Sequence, residues 1–142
     1  NSKSFYNLIA IDLSSNKSCG EIPEVMGDLT GLVMLNLSNN MLSGSIPSSL
    51  GKLSNLEASD LSLNSLSGKI PQQLAHLSFL SYFSVSFNNL SGPIPQTKQF
   101  ATFQGSSFEG NQGLCGNQLF KKCKDHTGLP FAAPTSDGDH ES

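Results

Sequence analysis

Apolar and polar positions alternate in four short blocks that recur every 24 residues. The blocks are Leu8-Ile9-Ala10-Ile11-Asp12-Leu13, Leu32-Val33-Met34-Leu35-Asn36-Leu37, Leu56-Glu57-Ala58-Ser59-Asp60-Leu61 and Leu80-Ser81-Tyr82-Phe83-Ser84-Val85. Asn follows at 16, 40, 64 and 88, Gly at 20, 44, 68 and 92, and Ile-Pro at 22–23, 46–47, 70–71 and 94–95. Eight columns agreeing over four copies mark an internal repeat, which decides the architecture before any single residue does. Each block reads as a strand with its Leu-type positions inward and the positions between them facing solvent. One strand per coil, stacked, makes a parallel sheet with strands about 4.8 Å apart. The carboxamide of each columnar Asn carries donors and an acceptor, so a stack of them can satisfy turn backbone that is shut off from water. Gly then permits a tight or left-handed backbone. Pro lacks an N–H and stops the chain continuing as a sheet strand, so a short arc follows, ending at Leu29, Leu53 or Leu77.

Two columns are broken. Ser59 stands where Ile11, Leu35 and Phe83 stand, and Ser18 where Leu42, Leu66 and Leu90 stand. Looser packing is expected in the first and third coils. The template L-x-x-L-x-L-x-x-N-x-L is that of the leucine-rich repeat. Composition agrees: 20 Leu, 24 Ser and 12 Asn supply about two residues in five of the 142. Charged residues are 13%, with eight Lys, no Arg and a net charge of −3, so no basic cluster is available to bind nucleic acid. No stretch approaches the roughly 20 apolar residues of a membrane helix. The chain has no initiator Met and no signal-peptide pattern, and the expectation is a mature chain or a part of a longer one.

Periodicity is lost after Pro95. The last coil of a solenoid leaves an apolar cross-section to be covered, and Phe100, Phe103, Phe108 and Leu114 are the residues expected to cover it. A Cys115–Cys123 bridge would hold that cover, contributing roughly 2–3 kcal/mol by loop entropy and implying an oxidising compartment. Cys19 falls in the Ser column of the repeat (43, 67, 91) and is expected to be unpaired within this chain.

The repeat Asn40-Met-Leu42-Ser43-Gly44-Ser-Ile46-Pro47 resembles the plant-specific class of leucine-rich repeat. The block from Gln99-Phe100 to Thr102-Phe103, then Ser107-Phe108-Glu-Gly-Asn111-Gln-Gly113-Leu114-Cys115-Gly116 and Cys123, resembles the C-terminal cap of plant receptor-like proteins. Those are cell-surface immune and developmental receptors with a repeat ectodomain, an acidic spacer, one membrane helix and no kinase. The resemblance implies an α/β repeat solenoid, right-handed, with short parallel concave strands, four 24-residue repeats and a disulfide-bonded C-terminal cap. It divides the chain into a partial preceding coil (1–7), four repeats (8–95), the cap (96–123) and an acidic flexible spacer (124–142). The implied partners are a protein or peptide ligand and a co-receptor kinase, at the outer face of the plasma membrane. Membrane attachment would come only through a helix downstream of residue 142. The rival within the same repeat class is a secreted inhibitor of cell-wall-degrading enzymes, of the polygalacturonase-inhibitor type.

Catalytic, metal and cofactor motifs are absent from the sequence. The one carboxylate pair, Asp12 and Asp60, shares an outward column two coils apart, about 9–10 Å at the strand spacing. An open face offers nothing to raise a carboxyl pKa into the general-acid range. His76, His126 and His140 have no metal-ligand spacing. Three N-x-S sequons begin at Asn16, Asn36 and Asn89. Asn16 is expected to be buried in the ladder and unmodified, whereas Asn36 and Asn89 are glycosylation candidates. The structural ladder is Asn16, Asn40, Asn64 and Asn88. The outward columns of the concave sheet are the expected binding face, with Met34, Asn36, Glu57, Asp60, Leu63, Tyr82, Ser84 and Phe87 as its contacts. Met34, Leu63, Tyr82 and Phe87 are larger and more apolar than a solvated sheet needs, and aromatic and Met side chains are enriched at interface cores.

Overall fold

A computed structural model describes residues 9–124 and 130–131. Strands β1 (Ile9–Asp12), β3 (Leu32–Asn36), β5 (Ala58–Asp60) and β7 (Tyr82–Ser84) form one parallel sheet in that order. Strands β2 (Cys19–Glu21), β4 (Met41–Gly44), β6 (Ser65–Gly68), β8 (Asn89–Pro93) and β9 (Gly113–Cys115) form a second parallel sheet along the flank. The registers Ile11–Leu35, Leu35–Ser59 and Ser59–Phe83 put each core column in line across the first sheet. Leu32, Leu35, Leu37, Leu56, Leu61 and Leu80 are buried, while Glu57, Ser81 and Tyr82 between such positions face solvent.

The outer side consists of 3₁₀ arcs, Glu24–Asp28, Ser48–Lys52 and Gln72–His76, each entered from Pro. Pro23, Pro47 and Pro71 carry φ near −70°, which the ring imposes, and their carbonyls accept from Met26, Leu50 and Leu74. The arcs stack closely. A Cβ on Gly51 would lie 2.6 Å from the Gln73 Cβ, and one on Gly27 2.3 Å from the Ser49 carbonyl oxygen. On the flank, Gly44 and Gly92 are left-handed and form troughs in which the Glu21 and Lys69 stems of the preceding coil lie.

Beyond Pro95 the pairing between coils continues into the cap. β9 pairs with β8, and the Val85 and Phe87 N–H groups donate to the Ser107 and Glu109 carbonyls just as earlier coils pair with their successors. Phe108 thus continues the column of Leu37, Leu61 and Val85, and Leu114 that of Leu66 and Leu90. The cap is a shortened fifth coil. A helical turn, α1 (Lys98–Ala101), brings Phe100 inward, and Phe83, Phe100, Phe103 and Phe108 form one aromatic cluster with centroids 5.1–6.3 Å apart. Phe100, Phe108 and Leu114 are fully buried and Cys115 is bonded to Cys123. After the disulfide, β10 (Cys123–Lys124) pairs antiparallel with β11 (Pro130–Phe131). The partial coil expected at 1–7 lies outside the described residues, as do His126 and His140.

Candidate functional site

The concave face is built on the Asn ladder, which fixes how each strand ends. Asn64 Nδ2 donates to the carbonyls of Leu37, Leu61 and Ser62 at 3.0, 3.2 and 3.1 Å, and its Oδ1 accepts from the Leu42 N–H at 3.0 Å. Asn40 and Asn88 repeat the arrangement. Asn111 repeats it again, bonding Val85, Phe108 and Glu109 and accepting from Leu90. This fifth rung was not anticipated. Its signal was Phe108-Glu-Gly-Asn111 set against Val85-Ser-Phe-Asn88, one residue short of the 24-residue period. Asn16, expected to be buried, is exposed, because no described coil lies on its upstream side. Asn40, Asn64 and Asn88 are half-buried.

A carboxamide that reaches back to the carbonyls two and three residues earlier forces a sharp reversal at the residue before it. Ser15, Asn39, Leu63 and Phe87 all take φ of 57–59°, and Gly110 takes 79°. Small polar residues accept that conformation, but Leu and Phe do so at a cost of about 1–2 kcal/mol each. Leu63 and Phe87 are nonetheless each 50% exposed.

The next column, Asp12, Asn36 and Asp60, also has a fixed geometry. Each side-chain Oδ1 accepts from the N–H and hydroxyl of the Ser two residues on, Ser14, Ser38 and Ser62, at 2.6–3.0 Å. These bonds hold the Asp12 carboxyl below the ordinary Asp value, the Ser14 hydroxyl contributing most. That is the opposite direction from the one a general acid requires. Ser84 departs from its expected role. It is buried, its hydroxyl 3.2 Å from that of Ser86.

Met34, Asn36, Ala58, Asp60 and Tyr82 line a shallow depression of 270 Å³ on this face. Tyr82 is half-exposed and Met34 and Ala58 partly so, while Glu57 projects into solvent beside them. The face therefore brings together Met34, Asn36, Asp60 and Tyr82, with Glu57 nearby. Leu63 and Phe87 stand in the turn column at its margin. Cys19 is exposed and unpaired on β2. No group of His, Cys, Asp and Glu that could hold a metal ion occurs among the described residues. Nor is any described helix long and apolar enough to cross a membrane.

A solenoid of stacked strands with an open, apolar-centred concave sheet defines the leucine-rich-repeat fold. The Leucine Rich Repeat family model matches residues 31–53. The BIR2 ectodomain from Arabidopsis thaliana is 46% identical with a TM-score of 0.71, the match covering 76% of this chain and 57% of that one. The BIR3–SERK2 complex from Arabidopsis thaliana matches at 37% identity and a TM-score of 0.58, covering 75% of this chain and 69% of that one. The ectodomain of the Arabidopsis receptor kinase HAESA, in complex with an N-terminally extended IDA peptide hormone ligand, is 41% identical with a TM-score of 0.66, over 80% of this chain and 19% of that one. A comparison with curated proteins finds no match. The chain belongs to the plant leucine-rich-repeat receptor ectodomains. It spans 57% of the BIR2 ectodomain and 19% of that of HAESA.

Proposed function

We propose that this chain is the extracellular protein-binding module of a plant receptor-like protein, contacting a peptide ligand or a co-receptor kinase through its concave face. The observation that carries the reading is the depression among Met34, Ala58 and Tyr82, rimmed by Asn36 and Asp60. An aromatic and a thioether at the centre of a polar, unobstructed sheet have the composition of an interface core rather than of a solvated surface. The relatives support the same use: BIR3 occurs in complex with SERK2, and HAESA with a peptide hormone.

The test is surface plasmon resonance of the full chain against the SERK2 ectodomain. Tyr82→Ala is expected to weaken binding about tenfold, equivalent to about 1.4 kcal/mol. Val25→Ala, on the exposed outer arc, is the control and is expected to leave affinity unchanged. Equal affinities for the wild type and Tyr82→Ala, or no binding by the wild type, would overturn the assignment of this face.

A further inference from the structure

The three sequons sit in different surroundings. Asn16 belongs to the column whose other members turn their carboxamides into the turn backbone. In the Asn36 sequon the Asn Oδ1 accepts from the Ser38 hydroxyl at 2.7 Å, so the two side chains engage each other on the half-buried concave floor. Asn89 differs from both. It lies on β8, opposite Ser67 of β6, with its side chain exposed. Among the described residues neither the Asn89 carboxamide nor the exposed Ser91 hydroxyl is engaged in a hydrogen bond.

Two residues before Asn89 stands Phe87, one of the two bulky side chains held in the left-handed turn column. One side of its ring rests on Gly110. A Cβ at Gly110 would come within 2.4 Å of the ring, so glycine there serves both the backbone conformation and the ring above it. Half of Phe87 remains open to solvent. Two residues of chain span at most about 7 Å, so the Asn89 and Phe87 backbones lie within that distance of each other. Phe87-Asn88-Asn89-Leu90-Ser91 thus places a supported, exposed aromatic beside an unengaged acceptor Asn.

We propose that Asn89 carries an N-linked glycan whose first N-acetylglucosamine stacks on Phe87. In the transfer, the Asn89 amide nitrogen bonds to C1 of the sugar and releases one proton to solvent. The bond from C1 to the lipid diphosphate of the oligosaccharide donor breaks, and the diphosphate leaves with the electron pair. The sugar's C–H bonds carry partial positive charge, which matches the negative face of the ring. Stacking gives the exposed Phe87 a partner and offsets the backbone cost at that position. It also moves Phe87 from the ligand surface to the glycan and leaves the ligand the depression at Met34, Ala58 and Tyr82. The inference rests on the extracellular placement proposed above, but its test does not use ligand binding, so the two can fail separately.

The experiment is glycopeptide mass spectrometry of the full chain secreted from plant cells with an unrelated sequon tag as a pathway control. Asn89 is expected to be occupied, and Ser91→Ala to abolish that occupancy while sparing the tag. Wild-type protein is expected to unfold at a higher temperature with the glycan than after enzymatic removal. Phe87→Leu, which Leu63 shows to be compatible with the column, is expected to remove that difference. If Phe87→Leu does not fold, nuclear Overhauser contacts between the Phe87 ring and the first sugar of the wild type decide the stacking. A bare Asn89 beside a glycosylated tag overturns the site. A glycan-dependent shift unchanged in Phe87→Leu, or absent ring-to-sugar contacts, overturns the stacking.

Discussion

Leu63 and Phe87 show what a single position in this repeat must satisfy. The ladder Asn one residue on needs the chain to reverse, so the column takes φ near +58° whatever side chain occupies it. Asn39 meets the demand at low cost, because short polar side chains tolerate the left-handed region and Leu does not. Leu63→Asn is therefore expected to stabilise the fold by about 1 kcal/mol, read by urea denaturation, since a half-exposed Leu loses little burial on replacement. A lower midpoint would show that Leu63 contributes packing that outweighs its strain. The ladder residue itself points the other way. Asn64 makes three donor contacts and one acceptor contact with backbone. Asn64→Ala leaves those groups unpaired and is expected to cost on the order of 1–3 kcal/mol. A loss under a few tenths in the same denaturation series would mean that water replaces the carboxamide freely.

Strands, arcs and ladder were legible at the level of elements because each coil repeats the same constraints at the same spacing. Pro-initiated arcs and the inward Leu columns stand where the periodicity put them, and the aromatic cover is made of the residues expected beyond its end. The fifth coil was not legible, for a physical reason. It drops one residue before Asn111 and regains one before Leu114, so the columns are rebuilt in space while the spacing in sequence is broken. The same coil buries Ser84, which by column alone belongs to the binding face. Close contact between arcs was also invisible, since Gly27 and Gly51 have ordinary φ and reveal their role only against the next coil. Gly51→Ala pushes a methyl toward the Gln73 Cβ and the Gln73 carbonyl oxygen, which lie 2.6 and 2.9 Å from the new atom. The expected loss is about 1–3 kcal/mol, as for other overpacked sites, measured by thermal unfolding. Gly20→Ala is the comparison, because its φ is left-handed but the space around it is open. If Gly51→Ala proves harmless, the arcs can separate and are not rigidly stacked.

The two ends of the described solenoid are unlike each other. At the cap, Phe100, Phe108 and Leu114 are fully buried and the disulfide closes over them. At the first coil, Leu13 is 47% and Leu29 42% exposed, whereas Leu37, Leu53, Leu61 and Leu77 in the same columns are 5% exposed or less. Ile22, in the same first coil, is buried. Among the described residues, no strand pairs with the outer edge of β1. Residues 1–8 lie outside that description, and within it the face has both properties that drive association: apolar side chains and an unpaired parallel edge. With the other end closed, the same face of a second copy is the partner expected for it. The 142-residue chain is therefore expected to sediment as a concentration-dependent dimer or larger species at tens of micromolar. Replacing Leu13 and Leu29 together with Lys puts charges on that face at positions already half-exposed, and is expected to return the protein to a monomer without unfolding it. A single monomeric boundary for the wild type would overturn the prediction that this face drives association.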